Sequence, residues 1–351
     1  MWQHIEKQLN DQLPFVVYRK PKQSEISAVF QKDKILKEVI DFNESGFLFA
    51  PFESHSTPVL ITKDAYLSSE FSGVAKALPT FENKIHQDSE RDTYINLVRE
   101  TIREIKSGKF RKVVLSRVFK TQNNDSPITL FKRILSFYKN AFCYLWYHPK
   151  VGMWLGATPE ILLQFDKQVL TTMALAGTLK YNGVSEPKWS KKEFDEQALV
   201  TDYIMTALNA NVTDMQQSKL ETIRAGELLH LRTKITGILN SDNLRPIIEA
   251  LHPTPAVCGF PKKETMDYIL QNESYERQFY AGYLGELNFG SNKSTRLYVN
   301  LRCMQKIAEI MNIYVGGGVT KDSNPEKEWQ ETVNKSSTML SVVHAENNWE
   351  E

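Results

Sequence analysis

Gly152-Met153-Trp154-Leu155-Gly156-Ala157-Thr158-Pro159-Glu160-Ile161-Leu162-Leu163-Gln164-Phe165 is the stretch on which the fold class turns. Two short apolar runs, Gly152–Gly156 and Ile161–Phe165, flank the turn Ala157-Thr158-Pro159-Glu160 and read as a hairpin-like pair of strands. Further β-forming runs lie on both sides: Lys112–Phe119 and Phe142–Tyr147 before it, Val169–Met173, Leu228–Thr236, Leu284–Asn288 and Tyr298–Met304 after it. Helical patterns separate some of them. Tyr94, Leu97, Val98, Ile102 and Ile105 keep helical spacing from Ser89 until Gly108 stops the run, and Ile128–Tyr138, Glu193–Asn209, Lys263–Leu270 and Pro325–His344 follow the same pattern. The polar stretch 181–192 reads as a loop. Many strands with hairpin-sized connections predict an α+β class: antiparallel sheets with helices packed outside. The strand–helix alternation of a dinucleotide-binding fold is not sustained, and no G-x-G-x-x-G or Walker A pattern occurs. Phe289-Gly290-Ser291-Asn292-Lys293-Ser294 lacks the second glycine of a P-loop and reads as a hairpin tip. Residues 1 to about 90 hold strand-like runs (Ile26–Phe30, Gly46–Phe52) and no chemical motif.

The 351 residues are enough for a substantial core. With 43 basic against 42 acidic residues, no global field draws the chain to nucleic acid or to a membrane surface. No apolar run reaches the ~18 residues of a transmembrane helix, and Met1–Glu6 has neither the basic nor the apolar region of a signal peptide. Cys143, Cys258 and Cys303 are far apart, make no thiolate metal spacing, and suit a reducing cytoplasm.

The chemistry concentrates near the C-terminus. Gly316-Gly317-Gly318 follows the strand-like Ile313-Tyr314-Val315 and precedes a helix that Ser323 or Asn324 can cap, with Pro325 in its first turn. Glu328, Glu331 and Lys335 then fall at i, i+3 and i+7, on one helical face. A glycine turn there would offer backbone N–H groups to an anion, and two carboxylates could hold a hard divalent cation. Elsewhere each candidate has a plain reading beside the functional one. Lys112 is either an exposed lysine at a strand start or, if buried among apolar neighbours, a usable general base. Glu160 is either a surface turn residue or a general acid held protonated in a desolvated cleft. Glu196 belongs either to a solvated charged face or to a metal site shared with Glu331. Arg302, on the predicted strand Tyr298–Met304, needs a carboxylate partner from substrate or from the protein. His230 and His252 stand alone, without the spacing of a zinc site, and each reads first as a structural histidine.

Taken in order, these segments resemble the chorismate-utilising enzyme family, and within it the isochorismate synthases. The series is Lys112–Arg117, Gly156–Glu160, Leu175–Thr178, Glu196, Leu229–Leu231, His252–Ala256, Tyr280–Gly282, Leu301-Arg302, and Gly316–Gly318 through Glu331-Thr332 to Lys335. Each is weak alone; their order is specific. The resemblance implies a single domain over 1–351, with a variable N-terminal part at 1–90 and a chorismate-binding catalytic region at 91–345. It implies two large packed antiparallel sheets and a Mg²⁺ ion on Glu196 and Glu331, with Glu328 close by. Lys112 and Glu160 would be the catalytic base and acid. Gly177, Thr178, His230, Ala256, Tyr280, Leu301, Arg302, Gly316, Gly317, Gly318 and Lys335 would surround the substrate. It also implies a small-molecule substrate, chorismate, and a monomer.

By the same resemblance, Lys112 selects water as the nucleophile, because ammonia-using relatives lack it. Ala256 favours stopping at isochorismate, since salicylate-forming relatives carry a threonine in this segment. Gln197 stands where many relatives have histidine, and Tyr280, Leu301 and His230 keep a salicylate synthase as the alternative. A non-catalytic chorismate-binding protein is a third reading. Regular strand geometry predicts that Leu301 and Arg302 cannot both face one site.

Overall fold

The structure, a computed structural model, describes residues 1–53, 55–73, 88–181, 183, 187–226 and 228–345. Helix α1 (Trp2–Asn10) leads into strands β1 (Phe15–Arg19), β2 (Glu25–Phe30), β3 (Lys37–Glu38), β4 (Gly46–Ala50), β5 (Val59–Ile61) and β6 (Ala65–Glu70). Next come α2 (Asp88–Lys106), β7 (Lys112–Gln122), α3 (Pro127–Phe137), β8 (Phe142–His148) and β9 (Gly152–Thr158). The middle of the chain forms β10 (Ile161–Asp166), β11 (Val169–Lys180), α4 (Lys191–Leu208), β12 (Val212–Gln217), β13 (Glu221–Ala225) and β14 (Leu228–Leu239). Then follow α5 (Arg245–Leu251), β15 (Gly259–Phe260), α6 (Lys262–Asn272), β16 (Tyr283–Phe289) and β17 (Ser294–Val299). The chain closes with β18 (Cys303–Ile307), β19 (Ile310–Thr320) and α7 (Pro325–Val343). The predicted loop at 181–192 lies partly outside the described residues, and its end is already the first turn of α4.

These strands build the expected α+β architecture of two large sheets. One has the order β15-β7-β19-β18-β9-β8-β1-β2-β6; the other runs β12-β14-β11-β10-β17-β16-β4-β5-β3, with β13 also on β14. All pairings among the described residues are antiparallel. The N-terminal strands belong to both: β1 pairs with β8 in the first sheet and β4 with β16 in the second.

Period-two alternation assigns the layers. Along β8, Phe142, Tyr144 and Trp146 enter the core between the sheets, while Cys143 and Leu145 enter a second core on the opposite face. Across the first core Phe142 stacks on Tyr298 of the other sheet, ring centroids 4.1 Å apart. Residues of α1, α3 and α7 cover the first sheet's far face, so its strands are apolar on both sides.

Two sequence expectations change. Gly152–Gly156 and Ile161–Phe165 are both strands, but not a hairpin. β9 pairs with β8 and β18 in the first sheet, whereas β10 pairs with β11 and β17 in the second. Thr158-Pro159-Glu160 is therefore where the chain crosses between sheets. Nor is Tyr298–Met304 one strand: β17 ends at Val299 in the second sheet and β18 starts at Cys303 in the first. The two crossings lie side by side, joined by Ala157 N–H to Arg302 O (3.0 Å) and Val299 N–H to Glu160 O (3.0 Å). The Thr158 hydroxyl adds a 2.6 Å bond to Val299 O. Buried backbone groups must be paired, so the two crossings hold each other and make a rigid corner of the kind formed where strands change sheets.

Candidate active site

That corner positions the first two candidate side chains. Glu160 leaves the crossing with 5% of its surface exposed. Burial raises its carboxyl from an ordinary 4.5 to about 7, against the opposing pull of Lys112, Arg302 and Lys335. Arg302 ends the other crossing at φ +48°. Leaving the strand conformation there lets Leu301 and Arg302 both line one cavity, which a continuous strand forbids. Gly156 packs beneath the corner, where a Cβ would stand 2.7 Å from Tyr144 Cε1, 3.1 Å from Cys303 Cβ and 3.2 Å from Arg302 O. Gly156→Ala is expected to lower stability by about 2 kcal/mol in denaturant unfolding, as overpacking does.

Facing the corner, the β11–β14 ladder shifts register after Ala176. Gly177, at φ +72°, aims its carbonyl at His230 Nδ1, 2.9 Å away, with the Thr178 hydroxyl at 3.4 Å. Burial first, then Arg302, lowers His230 to about 3, so the ring is neutral. Nδ1–H donates to the carbonyl, which leaves Nε2 to accept from Arg302 Nη2 at 3.4 Å. His230 thus orients the guanidinium.

The glycine triplet corrects another expectation. Gly316–Gly318 is not a turn but the interior of β19, paired with Ser116, Leu115 and Val114 of β7. β18 follows β19 only over Ile310–Ile313, so beyond that point one edge of the glycine run has no strand partner among the described residues. The glycines leave room for side chains rather than bending the chain. A Cβ at Gly316 would stand 2.9 Å from the Tyr280 hydroxyl, and one at Gly318 would stand 2.7 Å from Glu196 Oε1 and 2.9 Å from Lys112 Cε. One at Gly317 would meet Glu331 Oε1 at 3.6 Å and Glu328 Oε2 at 3.7 Å.

Three carboxylates therefore converge over Gly317-Gly318, each paired with a lysine. Lys112 lies 2.8 Å from Glu196, Lys192 lies 2.6 Å from Glu328, and Lys335 lies 2.6 Å from Glu331. Lys335 also donates to Gly316 O at 2.8 Å. Lys112 is fully buried and has no second polar partner among the described residues. Burial and then Glu331 raise the Glu328 carboxyl. Burial would raise Glu331 too, but Lys335, Lys192 and Arg302 outweigh it and hold it lowered. Among the described residues no group of three His, Cys, Asp or Glu side chains is gathered as metal ligands. Glu328 nevertheless keeps Oε2 buried and without a partner, close to Glu331 over the same glycine, an arrangement that suits a cation.

Two spaces adjoin the ion pairs. The inner cavity, about 70 Å³, is bounded by Glu160, Arg302, His230, Tyr280, Ala256 and the glycine triplet. The outer cleft, about 920 Å³, is reached past Lys112, Lys192 and Glu196. Glu196 faces both. Lys112 lines the outer cleft rather than the inner cavity, and Glu328 lines neither.

Residues 60–341 match the chorismate binding enzyme family, and the chain belongs to that family. It is 30% identical over 266 residues to the isochorismate synthase MenF of Escherichia coli (strain K12), covering 72% of this chain and 59% of that one. It is 30% identical over 269 residues to the chloroplastic isochorismate synthase of Catharanthus roseus, covering 73% and 46%. The chain thus spans about half the length of these two curated relatives. Among solved structures, a putative 2,3-dihydroxybenzoate-specific isochorismate synthase, DhbC from Bacillus anthracis, superposes with a TM-score of 0.80 at 23% identity. That match covers 96% of this chain and 98% of the other, and shows the shared fold.

Most of the residues anticipated from sequence meet around the inner cavity. Two groups were not anticipated. Lys192 fell in the stretch read as a loop, whereas it lies in the first turn of α4, four residues before Glu196 and on the same side of the helix. Arg277, 3% exposed, bonds the carbonyls of Val114 (2.7 Å) and Val257 (3.0 Å) and the carboxylate of Glu273 (2.6 Å). It ties two walls of the cavity together, and a lone arginine in sequence gives no sign of that. His252 takes its structural reading: Nε2 lies 3.1 Å from the carbonyls of Pro51 and Phe52.

Proposed function

We propose that this protein is an isochorismate synthase that converts chorismate reversibly to isochorismate, with Lys112 as general base and Glu160 as general acid. The observation that carries the reading is Glu160, a carboxyl on the wall of the inner cavity that burial raises to about 7. A general acid at neutral pH needs its proton until the leaving group departs, and desolvation provides that. Lys112 would take a proton from the water that attacks C2. Glu160 would donate one to the C4 hydroxyl, which leaves as water while the ring double bonds shift. One water enters and one departs, so substrate and product have the same composition.

Arg302, held by His230, offers a bidentate partner to a substrate carboxylate. Lys335 and the open edge of Gly316–Gly318 offer another. Glu196 and Glu331, with Glu328 close by, would hold Mg²⁺, which when bound would neutralise carboxylate charge on the substrate. The 70 Å³ inner cavity is smaller than a ten-carbon dicarboxylate, so the bound substrate would extend past Glu196 toward the outer cleft. Product analysis of the purified protein with chorismate and Mg²⁺ tests the assignment. Isochorismate is expected, without pyruvate release in a coupled lactate dehydrogenase assay. Salicylate with pyruvate would make it a salicylate synthase, anthranilate would remove Lys112 from its role, and no turnover would leave a chorismate-binding protein.

A further inference from the structure

Lys192 has no part in the chemistry above, yet its ammonium lies 2.6 Å from Glu328 Oε1 in a site proposed for a cation. Glu328 is 1% exposed, and its other oxygen, Oε2, has no partner and lies over Gly317 beside Glu331. Burying two neighbouring carboxylates is unfavourable unless positive charge lies between or beside them. Lys335 serves Glu331, and Lys192 is the cation serving Glu328. Lys192 also differs from Lys112 in having a way out. Its side chain keeps 26% of its exposure, against 0% for Lys112, and lines the outer cleft together with Asp195 and Asp322. A four-carbon stem can carry the ammonium from Glu328 toward those carboxylates with little backbone change.

We infer that Lys192 is a built-in competitor of the divalent cation: it neutralises Glu328 when the site is empty of metal and is displaced into the outer cleft when metal binds. The inference rests on the cation reading of Glu328 and Glu331. It makes Lys192 a setting of metal affinity, and it explains how buried carboxylates keep their place without metal. Neutralising the lysine then removes a competitor and tightens metal binding, whereas a lysine that merely props Glu328 in place would, when lost, weaken it.

Titration calorimetry of Mg²⁺ into the EDTA-stripped full chain, without substrate, separates these. Lys192→Gln is expected to bind Mg²⁺ about tenfold more tightly than the unmodified protein, the loss of one competing charge-assisted contact, while Lys192→Arg stays near the unmodified value. Equal or weaker binding by Lys192→Gln overturns the proposal. Glu331→Gln identifies the source of failure. If the unmodified protein binds Mg²⁺ and Glu331→Gln does not, an unchanged Lys192→Gln refutes the lysine's role alone. If the unmodified protein binds no Mg²⁺, the cation reading and the proposal fall together. Melting temperature gives a second readout where metal-free Lys192→Gln folds poorly. Mg²⁺ should raise it more in Lys192→Gln than in the unmodified protein, and an equal rise counts against competition.

Discussion

Glu160→Gln is expected to lower turnover of chorismate about a thousandfold, the usual worth of a positioned general acid, while making the protein more stable at pH 8. The two effects share one cause. The Glu160 carboxyl titrates near 4.5 when exposed and at about 7 when folded. Between those values the folded state holds a proton that the unfolded state has lost, so stability falls as pH rises through this window. The difference corresponds to about 3 kcal/mol at pH 8, by 1.36 kcal/mol for each unit. Glutamine removes that cost but cannot donate a proton to the leaving hydroxyl. Denaturant unfolding at pH 4 and pH 8 should show the two proteins equal at the lower pH and the variant ahead at the higher. The pH–rate profile of the unmodified enzyme should fall above about pH 7 as Glu160 ionises, and the residual activity of the variant should lack that limb. A variant with full turnover, or one no more stable at pH 8, removes Glu160 from the acid's role.

Lys112→Ala is expected to abolish hydration at C2 with a loss of about a thousandfold or more, while binding of chorismate, measured directly, changes far less. Lys112 is fully buried and reaches Glu196 at 2.8 Å, so its loss leaves a cavity lined by a carboxylate. Glu196 retains 13% exposure and can be hydrated from the outer cleft, so the variant should fold. Small primary amines should restore part of the turnover, because they fit the space of the missing ammonium and supply a base. Full activity without amine would refute the assignment of Lys112. Recovery by any cation of the same charge, basic or not, would assign Lys112 to electrostatics alone.

Much of this was readable in the chain, for a physical reason that differs by element. Helices α2, α3, α4, α6 and α7 were legible because burial of one face leaves a periodic trace that needs no knowledge of the partner. Asn324 caps α7 through Oδ1 to the N–H groups of Glu326 and Lys327, as a capping residue before Pro325 suggests. Strand β7 was legible from its apolar run, and the i, i+3, i+7 face of α7 did bring Glu328, Glu331 and Lys335 to one side. The short strands β12 and β13 were missed because they are short, largely polar and, after Val212, at most half-buried, so they carry no regular alternation.

The failures are of another kind. Pro159 marks a turn, but whether the next strand returns beside β9 or leaves for the other sheet is settled by β17, a partner more than a hundred residues away. The same holds for Arg302, whose left-handed backbone is imposed by two strands ending in different sheets. Gly316–Gly318 looked like a turn because glycine weakens strands in isolation. Within the sheet it is extended, since β7 supplies the ladder and side chains from α4, α7 and β7 occupy the missing Cβ positions.

By itself, then, the sequence determined the kinds of group this protein brings to its chemistry: a lysine, an acid, paired carboxylates, an arginine and a run of glycines, with helices and strands to carry them. Only the tertiary structure decided what those groups are to one another. It buried Glu160 at the corner and so raised its carboxyl to about 7, and it matched each carboxylate over the glycines with its own lysine. It also turned Lys192 from a surface charge into a cation of the site. Periodicity and turn chemistry are local and survive in a list of residues. Desolvation and charge pairing depend on which distant segments enclose a group, and those exist only once the two sheets have packed.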